Sequence, residues 1–153
     1  MIICSTDNLA KKLSKFNKTK VVKNRLSFHW EGLRTNNNQI IDHSNIKRKK
    51  ILWAGSQNHF SIKGKEGDFD DKLIDYIKET SDRFEWVFVG GVPNQLKDVN
   101  ITKYGWVNYL NFPRFLNSLN IHIGIAPLQQ IPFNEGKSNI KALEFAALGI
   151  PGI

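Results

Sequence analysis

An α/β fold with helices on both faces of a parallel sheet is what this sequence predicts, and three observations carry the prediction. Residues 51–54, 84–89 and 121–126 are short runs of apolar, β-branched and aromatic residues, and stretches of helical periodicity separate them. Strands and helices that alternate at this spacing favour a parallel sheet covered on both sides. The chain has 153 residues, of which 41% are hydrophobic, enough to pack a core.

Taken in order, residues 2–6 read as a short strand, and Thr6 or Asp7 caps a helix with Leu9, Leu13 and Phe16 on one face. Residues 20–22 return to strand. The polar, Asn-rich stretch 31–50 reads as a linker. The strand at 51–54 ends in Gly55-Ser56, and a loop from 57 to 68 carries His59, Lys63 and Lys65. A helix over 69–80 sets Phe69, Leu73, Ile74 and Ile77 on one side. The strand at 84–89 ends in Gly90-Gly91, which reads either as a tight turn or as a close approach to a ligand. A weaker strand at 101–104 leads into Gly105-Trp106, and Pro113 opens a short helix through Leu119 at a position where proline is favoured. After the strand at 121–126 and the loop at Pro127 comes a last helix, then the start of one more strand at 150–153. No internal repeat is present.

That last helix is the most informative stretch. Ser138 is placed to cap it, Gly149 suits a left-handed residue past its end, and Pro151 blocks continuation. Ile140, Leu143 and Ala147 make a core-facing stripe, while Lys137, Lys141 and Glu144 share another face. Two lysines at a helix N-terminus oppose the helix dipole at a cost of about 0.3–1 kcal/mol. The same place suits a bound phosphate, because free N–H groups and ammonium heads converge there. A solvated face with a Lys141–Glu144 pair is the ordinary alternative.

The composition narrows the classes of function. A single cysteine, Cys4, excludes a disulfide framework and a cysteine-based zinc site, and the four histidines are scattered without metal-ligand spacing. No apolar run approaches the roughly 20 residues of a membrane span, and nothing at the start reads as a signal peptide. Cytoplasmic residence is the expectation. A net charge of +8 favours anionic partners. The densest basic run, 47–50, reads as a solvated linker, with anionic lipid headgroups as the functional alternative.

Residues 137–151, Lys-Ser-Asn-Ile-Lys-Ala-Leu-Glu-Phe-Ala-Ala-Leu-Gly-Ile-Pro, resemble the donor-site helix of the group 1 glycosyltransferases, a GT-B family. The resemblance is strongest at 121–151, weaker at 51–116 and faint before residue 31. It implies a Rossmann-like domain over 51–153 that binds a nucleoside-diphosphate sugar, preceded by the end of an acceptor-binding domain at 1–30 and an interdomain linker at 31–50. Nearly all of that acceptor-binding domain, and the closing strands and helix after Ile153, would then lie outside this chain, leaving it inactive alone.

Residue by residue, the resemblance implies that Lys137 and Lys141 stabilise the departing diphosphate. Gly136, Ser138 and Asn139 would form the diphosphate loop, and Glu144 would bind the ribose hydroxyls. Many members carry a second glutamate at the position of Gly136; here the nearest acid, Glu135, is one residue early. Gly55, Ser56 and Gly90 would approach the donor, with His59 and Lys63 as nearby bases, and the segment at Trp106 would lie beside the nucleotide base. The implied partners are the nucleotide-sugar donor and a sugar or lipid-linked acceptor. No cofactor, metal or nucleic acid is expected, and no Asp-rich metal cluster is visible in the sequence.

Three other readings bear on the same residues and charge. Gly136-Lys137-Ser138 matches the end of a P-loop, but position 131 is Ile where that motif needs glycine. A basic nucleic-acid-binding module would fit the charge, yet the lysines are spread rather than striped. A non-catalytic remnant of the GT-B domain is the third.

Overall fold

The computed structural model describes residues 1–33, 47–60 and 67–153. It is a mixed α/β protein with two parallel sheets. The smaller sheet pairs β1 (Ile2–Cys4) with β2 (Thr19–Val21), joined by helix α1 (Asp7–Leu13). Thr6 caps that helix by accepting from Leu9 N–H.

The larger sheet contains β3 (Lys49–Gly55), β4 (Phe84–Gly90), β5 (Thr102–Tyr104) and β6 (Ile123–Gly124) in the order β5-β4-β3-β6. Beyond β6, Gly152 forms a parallel bridge with Gly124. From β3 the chain builds outward first through β4 and β5, then on the other side through β6. This order is compatible with a Rossmann-like sheet, in which ligands bind beyond the carboxyl ends of the strands where the order reverses.

Alternation along the central strands covers both faces. Ile51 and Trp53 of β3, with Trp86 and Phe88 of β4, pack against Ile74 and Ile77 of α2 (Asp71–Glu79). Leu52, Ala54, Val87 and Val89 face the other way, toward Leu116 of α3 (Phe112–Ser118) and Phe145 of α4 (Ile140–Leu148). Phe88 and Leu52 are fully buried, and each such side chain contributes about 1.5–3 kcal/mol. Strands buried on both faces read as continuous apolar runs, which is why both were legible in the sequence.

Several boundaries differ from the sequence reading. Helix α2 starts at Asp71 and not at 69, because Asp70 accepts from Leu73 N–H and caps it; Phe69 is buried just outside the helix. Within the run 121–126 the regular strand is limited to Ile123–Gly124, flanked by His122 and Ile125, whose N–H groups donate to Lys50 O and Leu52 O of β3. Helix α4 is flanked by Asn139, not Ser138, and Asn139 makes no side-chain cap bond. Ser138 lies one residue before the N-cap position, and its Oγ accepts from Asn24 Nδ2 at 2.7 Å. Gly149 adopts the left-handed conformation past the helix, with φ of 69°.

Of the expected linker at 31–50, residues 34–46 lie outside the described residues. Its last two residues belong to β3. The basic run at 47–50 is also not simply solvated. Arg48 donates to the carbonyls of Ser81 and Phe84, and Lys50 Nζ donates to Leu119 O at 3.1 Å. Among the described residues no helix is long and apolar enough to cross a membrane.

Candidate functional site

A cavity of about 540 Å³ opens at the carboxyl ends of β3 and β4. This is within the usual size of a small-molecule site. Gly55, Ser56 and His59 close one side of it, Val89 and Gly90 the floor, and Ile140, Lys141 and Glu144 of α4 the opposite side. Trp106, Tyr109 and Phe112 supply aromatic surface, and Trp106 is 80% exposed. Arg25, Ser27 and Trp30 complete the wall.

Gly90 permits this geometry. Its φ is +95°, and an added Cβ would sit 2.3 Å from the carbonyl oxygen of Gly55. Any side chain there would push apart the two strand ends that form the floor of the cavity.

One carboxylate, Glu144, lines the cavity, and a second, Asp68, lies behind its wall in contact with the lining residue His59. Glu144 Oε2 lies 2.7 Å from Lys141 Nζ, and the same ammonium lies 5.7 Å from the centroid of the Phe112 ring. Lys141 is in the first turn of α4, which contains no acidic residue. The second carboxylate, Asp68, is buried at the edge of the site and gathers partners from three segments. His59 Nδ1 lies 2.8 Å and Lys137 Nζ 3.0 Å from Oδ2. Asn134 Nδ2 donates to Oδ1 at 2.7 Å, and Gln129 N–H donates to it at 3.3 Å. Burial by itself would raise the pKa of Asp68, but the hydrogen bonds from His59, Lys137, Asn134 and Gln129 outweigh it and hold the carboxyl below its ordinary value.

The expected site residues therefore divide. Gly55, Ser56, His59, Gly90, Lys141 and Glu144 come together in the cavity wall. Lys137, Glu135, Gly136, Ser138 and Asn139 do not line it. Lys137 is held by Asp68 and lies ahead of α4, so only one of the two lysines occupies the helix's first turn. Glu135 pairs with Lys12 of α1 at 2.8 Å, and the carbonyl of Gly136 accepts from Thr6 Oγ1 at 3.0 Å. The segment from 132 to 136 is thus an anchor for α1. Lys63 and Lys65 lie outside the described residues.

Sequence reasoning passed over Asp68, Arg25 and Ser27. Asp68 had only the weak signal of an acid beside an apolar Phe69, since its side-chain partners outside its own loop are 66 and 69 residues away. Ser27 Oγ is buried in the cavity wall without a hydrogen-bond partner among the described residues, and Arg25 makes no ion pair among them. Neither is recognisable before the chain folds.

Comparison with protein-family models, with curated proteins and with solved structures found no match to this chain.

Proposed function

We propose that this cavity binds the nucleoside-diphosphate sugar of a GT-B glycosyltransferase, and that residues 51–153 are its Rossmann-like donor domain. One observation carries the reading. The cavity joins the uncapped first turn of α4, an ammonium and a carboxylate one helical turn apart, and exposed aromatic surface, all at the carboxyl ends of parallel strands.

Each part matches a part of such a ligand. The free N–H groups of the first turn and Lys141 suit a diphosphate. Glu144 accepts hydrogen bonds from ribose hydroxyls once Lys141 turns to the phosphates. Trp106 offers a face on which a base can stack. In glycosyl transfer, the bond between the anomeric carbon and the diphosphate oxygen breaks and the electron pair leaves with the diphosphate. The acceptor hydroxyl oxygen forms the new bond and gives up its proton to the departing diphosphate. Donors aimed at the oxygen that gains charge lower the barrier, and the α4 N-terminus with Lys141 fills that role.

Lys137 is not assigned to this step, since Asp68 already neutralises it. Arg25 and Ser27, on the remaining wall, suit the sugar or an acceptor, which by the same resemblance is a sugar or a lipid-linked sugar. Thermal melts with UDP, GDP and ADP test the reading: one of the three should raise the melting temperature, and the Glu144→Ala variant should lose most of that rise.

A further inference from the structure

The strongest unassigned feature is the contact between His59 and Asp68. Two bonds fix these residues to each other: His59 Nδ1 lies 2.8 Å from Asp68 Oδ2, and Asp68 N–H donates to the His59 carbonyl at 2.7 Å. The His59 ring also meets the Trp53 ring edge to face, with centroids 5.9 Å apart. Trp53 is itself packed among Phe60, Phe69 and Phe88. The ring therefore rests on a rigid aromatic base, with its Nδ1 side against Asp68.

We propose that Asp68 is a positioning residue that locks the His59 ring with Nδ1–H turned into the protein, so that Nε2 accepts a hydrogen bond from a hydroxyl of the ligand in the cavity. The hydroxyl half of this statement rests on the nucleotide-sugar reading above; the orienting half does not. An ionised carboxylate only accepts hydrogen bonds, so the nitrogen facing Asp68 must carry the proton. In the neutral ring the other nitrogen is then a bare acceptor. Among the described residues nothing hydrogen-bonds Nε2, and the His59 side chain is 33% exposed where it lines the cavity.

Such an acceptor repels ionised phosphate oxygens and attracts a hydroxyl. That changes the role of His59 from neutralising phosphate to recognising the sugar or ribose. Lys137 and Asn134 share the same carboxylate and keep it in place, so the pair does not depend on the ligand for its geometry.

Nitrogen-15 spectra of the imidazole rings at neutral pH read the tautomer directly, with the His59 signals assigned by their loss in His59→Gln. The expected result is the Nδ1–H tautomer in the parent chain, a shift toward Nε2–H in Asp68→Asn, and no change in Lys137→Met. Calorimetry with UDP and UDP-glucose, or with the GDP or ADP pair if that base is preferred, should show binding weakened about three- to tenfold in His59→Phe. Loss confined to the sugar nucleotide places the hydroxyl on the sugar; equal loss for both places it on the ribose. An Nε2–H tautomer or a doubly protonated ring in the parent chain overturns the proposal. So does unchanged affinity in His59→Phe. Should Asp68→Asn fail to fold, the parent spectrum still decides the tautomer. A chain with the Nδ1–H tautomer that binds no nucleotide overturns the nucleotide reading and leaves the orienting role of Asp68 standing.

Discussion

Lys137 Nζ and Asp68 Oδ2 lie 3.0 Å apart, although 69 positions separate the two residues in the chain. The contact ties the entry of α4 to the loop that follows β3. A cation that the helix sequence assigns to a ligand is instead used by the fold.

Acid stability follows from the bonds that His59, Lys137, Asn134 and Gln129 together make to Asp68. The folded-state pKa of Asp68 lies below its ordinary value of 3.8, so the unfolded chain takes up the proton first. The stability it contributes is fully present above 3.8 and is lost as pH falls through the folded value. Asp68→Asn should cost about 1–3 kcal/mol at neutral pH, the penalty for buried donors left without their acceptor. Urea melts of parent and variant across the acid range should show this difference shrinking as pH falls below 3.8.

The helix that suggested the function yields a second expectation. Lys141→Ala removes a cation from the positive end of α4 but also the half-buried partner of Glu144. These effects oppose each other, so stability without ligand should change by less than about 1 kcal/mol. Binding of the preferred nucleoside diphosphate should weaken by about 1.5–3 kcal/mol, the range for hydrogen bonds to charged groups. A surface ion pair of no functional consequence would leave that affinity unchanged in calorimetry.

Trp106 should separate binding from folding. It is 80% exposed and lines the cavity, so Trp106→Ala should alter stability by no more than about 0.5 kcal/mol. Loss of base stacking should weaken nucleotide binding by about 1–3 kcal/mol. Fluorescence quenching on titration, absent in the variant, would report the same contact.

Gly90→Ala should affect folding and binding together. The positive φ and the 2.3 Å approach to Gly55 O make the substitution strained at the cavity floor. A loss of about 1–3 kcal/mol is expected, more if the strand ends cannot part. Thermal melts check this, and the variant should bind nucleotide poorly even where it remains folded.

How much of this was legible in the sequence depends on how local the cause is. The central strands announced themselves through the apolar runs around Trp53 and Phe88, and the Thr6 cap and Gly149 stop are written in a few neighbouring residues. That Gly55, Ser56 and Gly90 share one end of the sheet could be anticipated, because they close parallel strands; Lys137 and Ser138, expected at the same end, do not line the cavity. What the sequence does not show has one physical origin, which is contact with distant partners. Ser138 lies one residue ahead of the helix cap and accepts from Asn24, Glu135 pairs with Lys12, and Lys137 pairs with Asp68. Nothing local in the sequence reveals a partner 69 to 123 positions away.

The most direct test of the donor-site reading is a calorimetric titration of the chain with UDP, GDP and ADP, repeated on Glu144→Ala with ribose and 2′,3′-dideoxyribose forms of whichever nucleotide binds. The expected result is saturable binding at one site, weakened in Glu144→Ala for the ribose form and hardly altered for the dideoxy form. Absence of saturable binding to all three nucleotides, or a Glu144→Ala variant that binds both forms as the parent chain does, would contradict it.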